Sequence, residues 1–230
     1  MKDSKLYAGR IKRQVRSLKR TGPKVQRVMV EDPLEALVYG LMSEPVTEAQ
    51  AQAAQKRLTR HFVDLNDLRV AGPDEITGLF GDSSPAVREA AARVTQVLMA
   101  VFNRFHALSL AATKKMGKRP ARQFLESLDG ITPFAVDYCM LTSMHGHAIP
   151  LTERMVRCLK AEGLVHPQAE PGEIGGFLAK LVPAQDAYEF YAELRARSEL
   201  RRPSEPRASS VRKKSQSEGK KAPSKKPDQP

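Results

Sequence analysis

The sequence predicts an all-α domain built around a helix, tight hairpin, helix unit and followed by a disordered basic tail. Apolar residues recur at three- and four-residue spacing over residues 32–201, and no run alternates with the two-residue period of a strand. The stretch LDGITPFAVDYCML, residues 128–141, sets a glycine-containing turn between two helical patterns. Gly130 suits a backbone of positive φ or a close approach to another surface. Thr132 can cap the second helix, and Pro133 stands at a first helical position, where its missing N–H is no loss. From Pro203 the chain is Lys, Ser, Pro, Glu and Gln with almost nothing apolar, too little to offset the entropy of ordering.

The 230 residues suffice for one substantial domain, or two small ones, plus a tail. Thirty-eight Lys and Arg against 26 Asp and Glu give a net charge of +12. That excess points to a polyanion: nucleic acid first, then an anionic membrane surface or RNA. Cys139 and Cys158 both fall in apolar helical patterns and read as small core residues, so neither a disulfide nor a metal site is expected. No apolar run is long enough to cross a bilayer, and the first residues lack the apolar core of a signal peptide. The expectation is a cytoplasmic monomer, nucleoid-associated if bacterial, with DNA as partner and no membrane contact.

Residues 1–27 are crowded with Lys and Arg; Ile11, Val15 and Leu18 fall at helical spacing, but the segment reads as a basic arm that orders on meeting a partner. The first helix opens at Asp32, with Pro33 at its first position and Glu35 three residues after the cap. Its apolar face is Leu34, Leu37, Val38 and Leu41, and Pro45 stops it. Thr47 starts the next, buried through Ala51, Ala54, Leu58 and Phe62. Short helical turns follow at 64–70 and 73–80, separated by Gly72. Ser84-Pro85 opens the longest helix, apolar along Val87, Val94, Val97, Leu98, Val101, Phe105 and Leu108. After the hairpin unit, Pro150 and Thr152 introduce a helix carrying Met155, Val156, Cys158 and Leu159, and two further helical patterns run over 173–181 and 184–201.

In the hairpin, amide N–H groups of the turn and of the second helix's first turn face outward together, an anion site made of backbone. The expected DNA contacts are Leu128, Gly130, Ile131 and Thr132, with the cationic run Lys114, Lys115, Lys118 and Arg119 lying beside the bound backbone. An ordinary antiparallel helix pair is the simpler alternative for the hairpin taken alone.

The flanks add a resemblance. LDGIT, a helix, then IPLTERMVRCLKAEGLV at 149–165 resembles the helix-hairpin-helix (HhH-GPD) DNA glycosylase superfamily, and within it the endonuclease III-like branch of base excision repair. Pro150, Arg157 and the closing Gly163-Leu164-Val165 match, and DPLEALVYGLMSE resembles that family's opening helix. The likeness spans residues 32–201. It implies a glycosylase-like all-α domain over residues 28–202, between the basic arm 1–27 and the disordered tail 203–230.

The resemblance also implies where chemistry should sit. Glycosylase/AP lyases use a lysine that forms a Schiff base and a carboxylate that supports a cation-like sugar. Those positions carry Phe134 and Thr152 here, and neither side chain can do that work. The family's gap-filling glutamine falls on Pro45, and no cysteine follows Cys158, so an iron–sulfur cluster is not expected and no cofactor is assigned. The surrogates weighed are Glu153 and Asp137, with His145 and His147 as loop residues. The reading is a DNA-binding protein that has lost the chemistry. One alternative is an active monofunctional N-glycosylase with a non-standard carboxylate, and a second is an RNA- or protein-binding scaffold.

Overall fold

The computed structural model describes residues 3–21 and 25–200, and the expected tail at 203–230 lies outside them. Among the described residues there are eleven α-helices, two short 3-10 turns and no strand. The helices are α1 (Ser4–Thr21), α2 (Pro33–Ser43), α3 (Glu48–His61), α4 (Leu65–Val70), α5 (Pro73–Phe80) and α6 (Pro85–Phe105). Then come α7 (Lys118–Glu126), α8 (Pro133–Thr142), α9 (Glu153–Ala161), α10 (Pro171–Leu181) and α11 (Ala187–Leu200). The starts follow the sequence signals. Asp32 accepts from the Leu34 amide at 2.8 Å, and Thr47 with Gln50 completes a reciprocal capping box on α3. At α2 the capping is by Asp32 alone, because Glu35 is turned out to solvent.

The helices pack into two apolar clusters that share one element. The first gathers α2 to α6, with Leu125 of α7 and one face of α8; the second gathers α1, α9, α10 and α11 on the opposite face of α8. Ala135, Val136, Cys139 and Met140 belong to the first cluster, and Phe134, Tyr138 and Leu141 to the second. A helix apolar all round must be covered all round, and α8 keeps only Pro133 and Asp137 out of the interior. Each large apolar side chain so buried contributes about 1.5–3 kcal/mol relative to exposure. On the α2 side the backbones come very close: a Cβ on Gly40 would lie 2.9 Å from Ala135 Cα.

A buried cation ties the two clusters together. Arg195 on α11, its side chain 3% exposed, donates through Nη2 to the carbonyls of Ser43 at 2.7 Å and Val46 at 3.2 Å. Its Nε faces Glu48 at 3.0 Å and Glu199 at 3.1 Å, and Nη1 donates to the Tyr191 hydroxyl. Glu48 also accepts from the Tyr39 hydroxyl at 2.6 Å. With its donors met, the guanidinium avoids the penalty of an unpaired buried charge. The connection between α2 and α3 is thereby clamped to α11.

The N-terminal segment differs from the expected arm. It is a docked helix: Ile11 and Val15 are buried in the second cluster, and Leu18 packs against it. Arg10 hydrogen-bonds the Gly163 carbonyl and Lys19 pairs with Asp186 at 2.8 Å. Its apolar stripe is narrow but finds a ready surface on α10 and α11, so tertiary packing outweighs the repulsion of the crowded cations. Ile11→Ala should therefore destabilise the protein by about 2–5 kcal/mol in urea unfolding. An undocked arm would leave the midpoint where it was.

Gly130 takes φ +82°, as the turn requires, and the hairpin leans on α6. A Cβ there would stand 2.8 Å from Gln96 Cβ and 3.3 Å from the Arg93 carbonyl. Gly130→Val should thus lower the thermal midpoint by several degrees, since overpacking and a left-handed backbone both cost about 1–3 kcal/mol. An unchanged midpoint would show that the hairpin stands clear of α6.

Candidate functional site

The caps of α8 and α9 open into one cleft between the two clusters. Thr132 Oγ1 accepts from the Ala135 amide at 3.2 Å, and Thr152 Oγ1 accepts from the Met155 amide at 3.3 Å. The cleft has a volume of about 490 Å³. One wall is the connection after α2, with Glu44 and Pro45; a second is α6, with Glu89 and Arg93. The hairpin contributes Thr132, and the start of α9 contributes Thr152, Glu153, Arg154 and Arg157. Two helix N-termini and three arginines therefore face one space.

The hairpin's backbone donors are fewer than the turn suggests. Pro133 has no N–H, the Ile131 amide donates to the Leu128 carbonyl at 3.3 Å, and the Ala135 amide is taken by the Thr132 cap. Gly130, Thr132 and Phe134 supply the remaining amides. The arginines are partly engaged: Arg93 pairs with Glu89 at 2.6 Å and Arg157 lies 4.0 Å from Glu153. Exposed pairs of this kind are weak and exchange readily for another anion.

The positions implied by the resemblance have separate fates. Thr152 lines the cleft, but its oxygen is committed to capping α9. Phe134 is 2% exposed and turned into the second cluster, with its ring centroid 6.3 Å from Tyr138 and 6.5 Å from Tyr191. The Arg195 guanidinium lies 5.7 Å from the same ring, a cation–π contact inside the protein. Of the two surrogates, Glu153 stands on the cleft rim, 91% exposed. Asp137 instead edges a second cavity of about 340 Å³, between α8, the 147–151 loop and α10. There Arg122 pairs with it at 2.7 Å; burial lifts its pKa above the usual carboxylate value, against the pull of that guanidinium. The two surrogates do not share a site.

His147 Nε2 meets the Val182 carbonyl at 2.8 Å, and His145 sits exposed in a left-handed turn. Both cysteines are buried and form no disulfide; the Cys158 thiol lies 3.5 Å from Glu162 Oε1, and burial pushes the Cys139 thiol up to about 12.

The expected DNA-contact set also divides. Leu128 is buried and Ile131 packs on the first cluster, so both serve the interior, while Gly130 and Thr132 reach the surface of the turn. Lys114, Lys115, Lys118 and Arg119 are exposed at the N-terminal end of α7. The nine residues of α7, which begin with Lys118 and Arg119 and rise about 13 Å, place this cluster at the end away from the hairpin. Lys118 donates to the His145 carbonyl, beyond the far end of α8. The antiparallel helix pair thus carries its turn at one end and this charge cluster at the other. The cations at the cleft are Arg93, Arg154 and Arg157. Of these only Arg157 belongs to the resemblance; Arg93 enters because Gly130 seats the hairpin on α6, a contact with no local signature.

Glu44 is the residue that sequence reasoning overlooks. The Thr132 hydroxyl donates to its Oε2 at 2.7 Å, across 88 residues of chain. Burial lifts its pKa above the usual carboxylate value, Thr132 and Arg93 pull it down, and Glu153 and Glu89 push it up. Its one sequence signal is an acid just before the helix-stopping Pro45, which reads as an ordinary helix end.

The chain matches no protein-family profile and no curated protein. Solved structures do resemble it. A non-covalent endonuclease III–DNA complex is 16% identical, with a TM-score of 0.64 over 82% of this chain and 84% of that one. A trapped endonuclease III–DNA covalent intermediate is 18% identical, at 0.60 over 80% and 84%. The Clostridium acetobutylicum 8-oxoguanine glycosylase/lyase, bound to double-stranded DNA with cytosine opposite 8-oxoG, is 15% identical, at 0.61 over 83% and 70%. At these identities the likeness is one of architecture: the chain has the all-α helix-hairpin-helix DNA glycosylase fold.

Proposed function

We propose that this protein binds duplex DNA across the hairpin and the cleft beside it, without the lysine chemistry of glycosylase/lyases. The observation that carries the reading is the convergence of two helix N-termini and three arginines on one cleft, in a fold whose solved neighbours include DNA complexes. Backbone amides and arginines are the groups that position a phosphodiester chain without reading its bases. The burial of Phe134 supports the second half of the reading. A Schiff base needs an amine within reach of the sugar carbon, and the lysine position implied by the resemblance is occupied by a ring facing Tyr138, Tyr191 and Arg195.

Binding should be salt-dependent, and the triple variant Arg93→Gln, Arg154→Gln, Arg157→Gln should flatten the slope of log affinity against log salt by about two to three. Fluorescence anisotropy with undamaged, mismatched and abasic-site duplexes measures this. A slope equal to that of the unaltered protein would remove the cleft from the interface.

Borohydride reduction with abasic-site DNA at saturating protein should trap no covalent complex. A complex mapping to a lysine of this chain would overturn the non-lyase reading. Phe134→Lys should not restore trapping, because it places an ammonium beside the buried Arg195 guanidinium; it should lower the unfolding midpoint instead.

A further inference from the structure

Thr132 has one hydroxyl proton, and in this structure it is given to Glu44 Oε2. That hydroxyl stands at the N-terminal end of α8, among the hairpin amides that would meet a phosphate. From these contacts, and resting on the DNA-binding reading above, we propose that Glu44 is an internal competitor for the hairpin: duplex DNA engages fully only when this carboxylate leaves Thr132 or takes up a proton.

Three features of the structure make the competition direct. The Glu44 carboxylate already complements the positive end of α8, as a phosphate would. With no N–H on Pro133, and with Ile131 and Ala135 engaged, Thr132 is a large share of the hairpin's remaining donor capacity. The backbone carrying Glu44 cannot retreat, because Arg195 holds the carbonyls of Ser43 and Val46 on either side of it. Release is therefore a side-chain rotation. Arg93 on the facing wall, which already draws on the Glu44 charge, is the cation it can turn toward.

The charged groups facing Glu44 are Arg93 and Glu89 of α6 and Glu153, Arg154 and Arg157 of α9. None is a histidine. Its raised pKa is consistent with the arrangement: as pH falls through it, the carboxylate becomes neutral and its repulsion of a phosphate disappears.

Glu44→Gln is the test, since the amide keeps the shape but removes the negative charge, and with it the charge-assisted hold on Thr132 and the repulsion of a phosphate. Anisotropy with an undamaged duplex at fixed low salt should show Glu44→Gln binding on the order of ten-fold tighter than the unaltered protein, the size expected of one charge removed at close, partly screened range. Glu35→Gln, at an exposed position near the start of α2, makes the same change in net charge away from the cleft and should gain less than about two-fold. As pH is lowered from neutrality, the unaltered protein should gain affinity more steeply than Glu44→Gln. Thermal unfolding checks that each variant is folded. A folded Glu44→Gln that binds no better than Glu35→Gln, while the unaltered protein binds DNA, overturns the competition and leaves the DNA-binding reading intact. If neither the unaltered protein nor Glu44→Gln binds duplex at low salt, both fall.

Discussion

The rest of the structure depends on the double burial of α8. A ten-residue helix with apolar groups on every side cannot rest on one surface, and two otherwise separate clusters form by covering it. Gly40 admits α2 to near backbone contact on one side, while Tyr138 and Phe134 face α11 on the other. The hairpin before α8 and the loop after it are therefore fixed relative to both clusters. The cleft is the space that this arrangement leaves open at the start of α8.

The buried polar network around Arg195 follows from the same constraint. The two clusters meet where the C-terminal end of α2 presents carbonyls that no helix can satisfy. Arg195 reaches them from α11, and Glu48, Glu199, Tyr39 and Tyr191 complete the set. Phe134 closes the apolar side of this network. Its ring is a packing residue that lines the second cavity on one side and meets the guanidinium 5.7 Å from its centroid on the other.

Much of the fold is legible in the sequence, because capping residues and apolar spacing are local. Asp32, Thr47, Gly130, Thr132 and Thr152 each mark the boundary that the structure shows. The docking of α1 is less legible: three apolar residues among many cations describe a solvated segment equally well until α10 and α11 offer a surface. The site is less legible still. That Thr132 belongs to it follows from the hairpin, but Glu44 and Arg93 arrive through long-range packing, and the lysines that look adjacent in sequence lie a helix length away. Asp137 and Glu153, equivalent as sequence candidates, are separated because they stand on different helices: Asp137 faces the cavity between α8 and α10, while Glu153 opens α9 on the rim of the cleft.

The Arg195 clasp also bears on how a ligand must be accommodated. Widening the gap between the α2–α3 connection and α11 would strip a buried guanidinium of two carbonyl partners. The wall of the cleft that carries Glu44 and Pro45 is thus held from behind by α11, which lines none of the cleft itself. On the DNA-binding proposal, a duplex would meet a wall that does not give way, and sequences that deform easily would be favoured without any base being read.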